Sequence, residues 1–193
     1  RRSSDLRNMA EFVALARSQP GKMSYLSPGV GSSVFLNTEL LKLHAGIDMQ
    51  AVPYKSGGPS IVDLVGGQVQ LYFAVPISIM PHIRSGKVRP VAVTGKNRLT
   101  ALSRVPTFTE SGLADFDVRY WYGTLARAGT PDAIIQKIAS EVAVIVKQPD
   151  VIKQFATAGI EPVGAGPAEY VKVMKGEIDR VAAVVKVAGI KPQ

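Results

Sequence analysis

The chain contains no cysteine, and this absence excludes disulfide bonds, thiol nucleophiles and cysteine-ligated metals. It also lacks an apolar run near the ~18 residues that a membrane-spanning helix needs, because Gln70 and Ser78 interrupt the most hydrophobic stretch, residues 69–80. Histidine occurs only at His44 and His82, and neither has a second histidine or a carboxylate at ligand spacing. We therefore expect no metal site, no cofactor and no histidine-based catalysis.

The composition is that of a soluble globular protein. The 193 residues are 46% hydrophobic and 20% charged, a length that corresponds to one or two domains. The 23 Lys and Arg residues against 15 Asp and Glu residues give a net charge of +8. Because the basic residues are scattered rather than clustered on one stripe with aromatics, we expect an anionic partner but no nucleic acid.

Hydrophobic periodicity and turn residues predict an α/β fold. Strands are expected at residues 23–26, 49–54, 69–75, 88–94 and 119–125, with a short one at 161–163. Helices are expected at residues 8–18, 33–46, 60–65, 76–85, 131–147, 149–158 and 167–188. The alternation up to residue 94 predicts a mostly parallel sheet with helices on both faces. Since the remainder is nearly all helical, we place a domain break near residue 118.

The strongest local motif is a glycine- and serine-rich turn between a predicted strand and a predicted helix. It comprises Ser27, Pro28, Gly29, Val30, Gly31, Ser32 and Ser33. The two glycines allow backbone N–H groups to converge at a helix N-terminus, where the partial positive charge favours an anion. The same residues also suit a simple tight turn. A nucleotide loop is disfavoured, since no Gly-Lys-Ser/Thr follows and a third glycine is lacking.

Two other places carry candidate residues. Tyr54, Lys55 and Gly57 follow a predicted strand, where open α/β sheets gather ligand loops, although a plain turn fits them equally well. Trp121 either fills a core or forms the wall of a pocket.

These motifs occur in an order that resembles the solute-binding receptors of tripartite tricarboxylate transporters, the Bug proteins. The similarity spans residues 8–193. The matching segments, by residue number, are 20–25 with 27–32, 52–55 with 57–59, 63–64, 66–70, 81–87, 92–94, 105–107 with 110–112, 121–123, 128–131 and 189–192.

The resemblance implies a type II periplasmic-binding-protein-like fold whose two lobes close over a small carboxylate. It makes residues 8–118 the second ligand-binding lobe, and residues 119–193 a returning strand and helices of the first lobe. The ligand-binding residues implied are Ser27, Gly29, Val30, Gly31, Ser32, Ser33, Tyr54, Lys55, Gly57, Ala74 and Trp121. It also implies a periplasmic, non-enzymatic protein that works with membrane transporter subunits. A sensor for a membrane signalling partner and an enzyme acting on an anion are the alternatives.

Two departures from the family pattern carry expectations of their own. Many members have an aspartate where this chain has Ala74, so a plain mono-, di- or tricarboxylate is expected rather than an amino acid. The family's signal peptide and the first part of its first lobe have no counterpart here, so we expect a truncated form. The C-terminal helices would then expose apolar surface through which the chain could oligomerise.

Overall fold

A computed structural model describes residues 6–55, 57–114, 116, 118 and 120–190, with no side-chain detail for residues 57–59. This part of the chain holds seven α-helices, two β-strands and a 3-10 helix, Thr100–Leu102. In chain order the elements are α1 (Met9–Ser18), β1 (Met23–Ser27), α2 (Ser33–Ala45), β2 (Met49–Pro53), α3 (Gly57–Val65), α4 (Pro76–Arg84), α5 (Asp132–Ile145), α6 (Pro149–Ala158) and α7 (Pro167–Val187). The predicted α/β class and the predicted helices are confirmed.

Local sequence explains where the helices begin and end. The Asn8 side chain accepts a hydrogen bond from the backbone N–H of Glu11 and so caps α1. Proline occupies the first turn of α4, α6 and α7, where its missing N–H costs nothing. Gly46 ends α2 in the left-handed conformation, which glycine adopts without steric penalty.

The sheet is smaller than predicted. β1 and β2 pair in parallel, in a register that runs from Met23 opposite Met49 to Ser27 opposite Pro53. On the other side of β1, the predicted strand at 69–75 makes only an isolated bridge, Tyr25 with Leu71. The strand prediction for residues 69–75 is wrong. The Gln70 side chain accepts the Ser24 N–H at 2.8 Å and so replaces the backbone carbonyl that would accept this N–H in a continuous strand pair.

Three further strand predictions are also wrong. Residues 88–94 form a single parallel bridge, Val93 with Thr107, since Pro90 has no N–H to donate to a ladder. Residues 120–125 and 161–163 form no strand, and Arg119 lies outside the described residues. In the second of these segments Pro162 lacks a donor and Val163 is 78% exposed.

The core lies where α1 and α2 pack against β1 and the segments that follow β2. Stacked rings of Phe73, Phe108 and Phe116 form part of it, with the last two ring centroids 4.3 Å apart. Helix α2 contributes the fully buried Leu41. Leu43 of the same helix is exposed, because the buried face of α2 passes through Val34, Leu41 and Ala45.

The C-terminal third exposes much more apolar surface than the rest. Among the described residues, helices α5 and α6 have no buried side chain and α7 has only Val184. Along α5, Ile134, Ile138, Val142 and Ile145 form an exposed apolar stripe at helical spacing. No described helix combines the length and the apolar character needed to cross a bilayer.

The aromatic stack gives the first prediction. Phe108→Ala removes a ring that is 3% exposed and leaves a cavity between two other rings, so we expect a loss of about 3–5 kcal/mol in unfolding free energy. Chemical denaturation measures it. The matched control is Ile77→Ala, which trims a 57%-exposed side chain and should change stability by about 0.5 kcal/mol or less. Equal losses for the two variants would contradict the core assignment.

The apolar stripe on α5 gives the second prediction. Replacing Ile138 and Val142 with serine removes exposed apolar area, so it should reduce hydrophobic-dye binding and self-association while changing the melting temperature little. Light scattering and thermal unfolding measure the two effects. A large fall in melting temperature would show that the stripe is already buried in the chain.

Candidate anion-binding site

The loop at residues 27–33 connects the end of β1 to the start of α2 and is held in shape by its own serines. Ser27 Oγ accepts a hydrogen bond from the Gly29 N–H at 3.1 Å. The Gly29 carbonyl in turn accepts bonds from the Ser32 N–H and the Ser32 hydroxyl, the latter at 2.8 Å. Ser32 Oγ also accepts the Phe35 N–H, so Ser32 is the N-cap of α2.

Both glycines of the loop have backbone angles that other residues rarely adopt. Gly29 has φ of 133° and Gly31 has φ of 83°. No atom lies within 4 Å of a Cβ built at either position. The glycines are therefore required by the path of the backbone and not by crowding.

This path leaves several N–H groups at the start of α2 without a partner. The N–H groups of Val30, Gly31, Ser33 and Val34 have no acceptor within the described part of the chain. Val30 is 45% exposed, and Gly31 and Ser33 are also exposed. Free N–H groups at a helix N-terminus carry partial positive charge, so the loop can bind a carboxylate or phosphate oxygen without a charged side chain.

Tyr54 lies beside this loop because β2 pairs with β1. Its N–H donates to the Ser27 carbonyl at 2.8 Å, and its hydroxyl donates to Asp63 Oδ2 at 2.6 Å. That hydrogen bond to the Asp63 carboxylate raises the pKa of Tyr54. Lys55 is exposed at the same edge, and Gly57 is the first residue of α3. The structure thus places the second predicted segment against the first.

The other two predicted residues lie in different surroundings. Ala74 is half-buried. It follows Leu71, the bridge partner of Tyr25 in β1, by three residues, so it lies at the same edge of the sheet as the loop. Trp121 instead packs edge-on against Tyr170 of α7, with ring centroids 5.2 Å apart. Because Trp121 is 37% exposed, it fills no core, and within the described residues no ring contact or hydrogen bond joins it to the loop.

Tyr120 and Asn37 were not among the predicted site residues. The Tyr120 hydroxyl donates to the Phe73 carbonyl at 3.4 Å, and burial raises the pKa of Tyr120. Asn37 is 1% exposed, and its Oδ1 is buried without a hydrogen-bond partner in the described part of the chain. Asn37 stands next to Thr38 and Glu39 in α2, so its neighbours in sequence gave no signal that it would be buried.

The two histidines lie away from the loop. His44 is in the last turn of α2 and packs edge-on against Phe116, with centroids 5.9 Å apart. His82 is in the last turn of α4, where its carbonyl accepts the N–H groups of Lys87 and Val88. Within the described residues, no hydrogen bond joins either histidine to the loop.

Comparison with known proteins connects this geometry to a family. The sequence model described as "Tripartite tricarboxylate transporter family receptor" matches residues 1–190. Protein BugT of Bordetella pertussis (strain Tohama I) is 32% identical over 186 residues, which is 96% of this chain and 57% of BugT. The chain thus spans little more than half the length of such curated relatives.

Solved structures agree with this comparison and confirm the expected fold. The R. palustris protein Rpa4515, solved with adipate, superposes with a TM-score of 0.90 at 32% identity, covering 98% of this chain and 63% of that one. MatC from Rhodopseudomonas palustris, solved with bound malate, gives a TM-score of 0.81 at 28% identity, covering 95% of this chain and 64% of that one. The chain therefore has the periplasmic-binding-protein-like fold.

The loop geometry gives the third prediction. In Gly31→Val, a β-branched residue cannot hold φ of 83°, so the N–H groups should turn away and binding of a small carboxylate should be lost. NMR titration of the loop amides with succinate measures this. The matched control is Gly112→Val, which has φ of 85° and equally open surroundings but lies in the turn of residues 109–112, outside the loop. Both variants should lose similar stability, and retention of binding by Gly31→Val would contradict the site.

Proposed function

The chain belongs to the tripartite tricarboxylate transporter receptor family, and we propose that it binds a small carboxylate in the periplasm for delivery to membrane transporter subunits. One observation supports this proposal: four N–H groups without an acceptor in the described part of the chain lie together where the loop of residues 27–33 leads into α2. All of these groups are donors, and a carboxylate offers only acceptors, so the two are complementary. The adipate and malate in the two solved relatives are consistent with this ligand class.

The ligand we propose is a mono-, di- or tricarboxylate without an ammonium group. Ala74 lies at the ligand edge of the sheet and offers no carboxylate to an ammonium. An amino acid would therefore find no carboxylate for its charged nitrogen at position 74, which is costly in a partly buried site.

The proposed site comprises the loop and the neighbouring segment at the end of β2. Its residues are Ser27, Gly29, Val30, Gly31, Ser32, Ser33, Tyr54, Lys55 and Gly57, with Ala74 behind them and Trp121 on the returning segment. Ser27 and Ser32 hold the loop in shape, and Val30, Gly31 and Ser33 present N–H groups to the ligand. We propose no metal and no cofactor, because recognition by N–H groups requires neither.

We further propose that residues 8–118 form one ligand-binding lobe and that residues 119–193 contribute to a second. The apolar stripe of α5 supports this division, since a helix of a finished lobe normally buries its apolar face. BugT is nearly twice as long as the matched region, and we propose that a counterpart of its remaining part covers the stripe. Without that counterpart, the stripe is where two copies of the chain would associate.

The fourth prediction concerns affinity. Two charge-assisted hydrogen bonds to a carboxylate contribute roughly 3–6 kcal/mol before the cost of association, so the loop alone should bind only in about the millimolar range. Calorimetry or NMR titration of the 193-residue chain with succinate and adipate measures the dissociation constant. Low-micromolar binding would contradict the two-lobe proposal, and no binding at tens of millimolar, roughly ten times the value expected, would contradict the carboxylate site itself.

A further inference from the structure

We propose that the protein docks on an anionic lipid surface through residues 84–104, which we call the basic segment. The basic segment contains lysine and arginine but no aspartate or glutamate. The partner is a bilayer whose headgroups carry negative charge, since such a surface attracts clustered lysine and arginine side chains. This inference goes beyond the proposed function, because it concerns where the protein meets a membrane and not the ligand that it binds.

The basic segment supplies most of the net charge of the chain. Residues 64–109 contain six of the 23 basic residues and none of the 15 acidic ones, so this stretch accounts for six of the eight net positive charges. All six lie in the basic segment and are Arg84, Lys87, Arg89, Lys96, Arg98 and Arg104. Basic residues are about as frequent here as elsewhere in the chain. The charge is concentrated because acidic residues are missing, and a missing acid leaves a field of one sign at the surface.

Most of these cations are free to meet a partner. All six residues are exposed. Within the described residues, no hydrogen bond or ion pair engages the side chains of Arg84, Lys87, Lys96 and Arg104. Of the other two, Arg98 pairs with Glu110 at 2.8 Å, whereas Arg89 donates to the Leu6 carbonyl at 2.7 Å and so keeps its charge uncompensated. An anionic surface can therefore approach the four free cations without breaking an internal ion pair.

The free cations lie in two well-defined turns. Arg84 is the last residue of α4, and Lys87 lies in the tight turn that follows, where its N–H donates to the His82 carbonyl at 2.9 Å. Gly86 has φ of 70° in this turn, so the chain reverses directly after the helix. The turn therefore keeps Arg84 and Lys87 together at the exposed end of α4.

The second pair lies on the loop of residues 94–106. The Arg98 side chain donates to the Ser103 carbonyl at 3.2 Å and so draws the two arms of this loop together. Lys96 lies on one arm and Arg104 on the other. Each end of the basic segment thus presents two free cations on backbone that is already held in place, and docking does not have to order it.

The absence of apolar anchors favours a lipid surface over an acidic protein. Residues 84–104 are all described, and none of their large apolar side chains is exposed. Most of the exposed large apolar side chains in the described part of the chain lie after residue 120. Protein interfaces normally bury a centre of aromatic and apolar side chains, whereas anionic headgroups attract lysine and arginine by charge alone. The basic segment has the composition that suits the second kind of partner.

The experiment measures co-sedimentation of the 193-residue chain with vesicles of phosphatidylcholine, with and without phosphatidylglycerol. We expect binding only to the vesicles that contain phosphatidylglycerol, and release by added salt, because ions screen exposed charges. Two double variants, Arg84→Gln with Lys87→Gln and Lys96→Gln with Arg104→Gln, each remove two charges. Since one charge near the surface changes partitioning about fivefold, each double variant should bind at least about tenfold more weakly. Their melting temperatures should stay close to that of the parent, because the four side chains are exposed.

The matched control is Lys175→Gln with Lys186→Gln on α7, which removes the same net charge from two exposed lysines. It should weaken vesicle binding by less than about twofold, because these lysines lie outside the basic segment. An equal loss in this control would overturn the proposal, since net charge alone would then explain binding. Failure of the parent to bind either vesicle would also overturn it, as would retention by polyglutamate but not by vesicles, which would assign the surface to an acidic protein. None of these results touches the succinate titration, which tests the proposed function separately.

Discussion

The parallel pairing of β1 with β2 is the constraint on which the site depends. Ser27 lies opposite Pro53, and Tyr54, the residue that follows β2, donates its N–H to the Ser27 carbonyl. The loops that follow β1 and β2 therefore leave the sheet side by side. The bridge between Tyr25 and Leu71 adds a third segment to the same edge. A one-residue slip in this register would reverse the faces of all these side chains, so the short ladder determines which groups can meet a ligand.

The helices and the loop could be predicted from sequence because their signals are local. Asn8, Ser32 and Gly46 act on the backbone within one turn of themselves, so their positions fix helix ends without reference to the rest of the chain. The conformations of Gly29 and Gly31 are local in the same sense. The buried residues of α1, which are Met9, Phe12 and Ala16, recur at the helical spacing that also located this helix in the sequence.

The strands and the far side of the site could not be predicted, because they depend on partners distant in sequence. Nothing near Gln70 shows that its side chain will take the N–H of Ser24, which lies 46 residues earlier. Tyr120 is equally remote from Phe73, which lies 47 residues earlier, and only the fold brings its hydroxyl to that carbonyl. Trp121 likewise meets its ring partner, Tyr170 of α7, only in the folded chain.

Tyr120 also connects the two parts of the chain. It lies at the start of the segment that leads to α5, and its hydroxyl donates to the Phe73 carbonyl, while the next residue, Trp121, packs against Tyr170 of α7. A Cβ added at Gly123 would overlap the Tyr170 ring, so this segment passes close to α7. The segment that leads to α5 is therefore held at the core by the Tyr120 hydroxyl and at α7 by the two residues that approach Tyr170. A displacement of α7 acts on this segment, and a displacement of the segment acts equally on α7, because coupling between two sites is reciprocal.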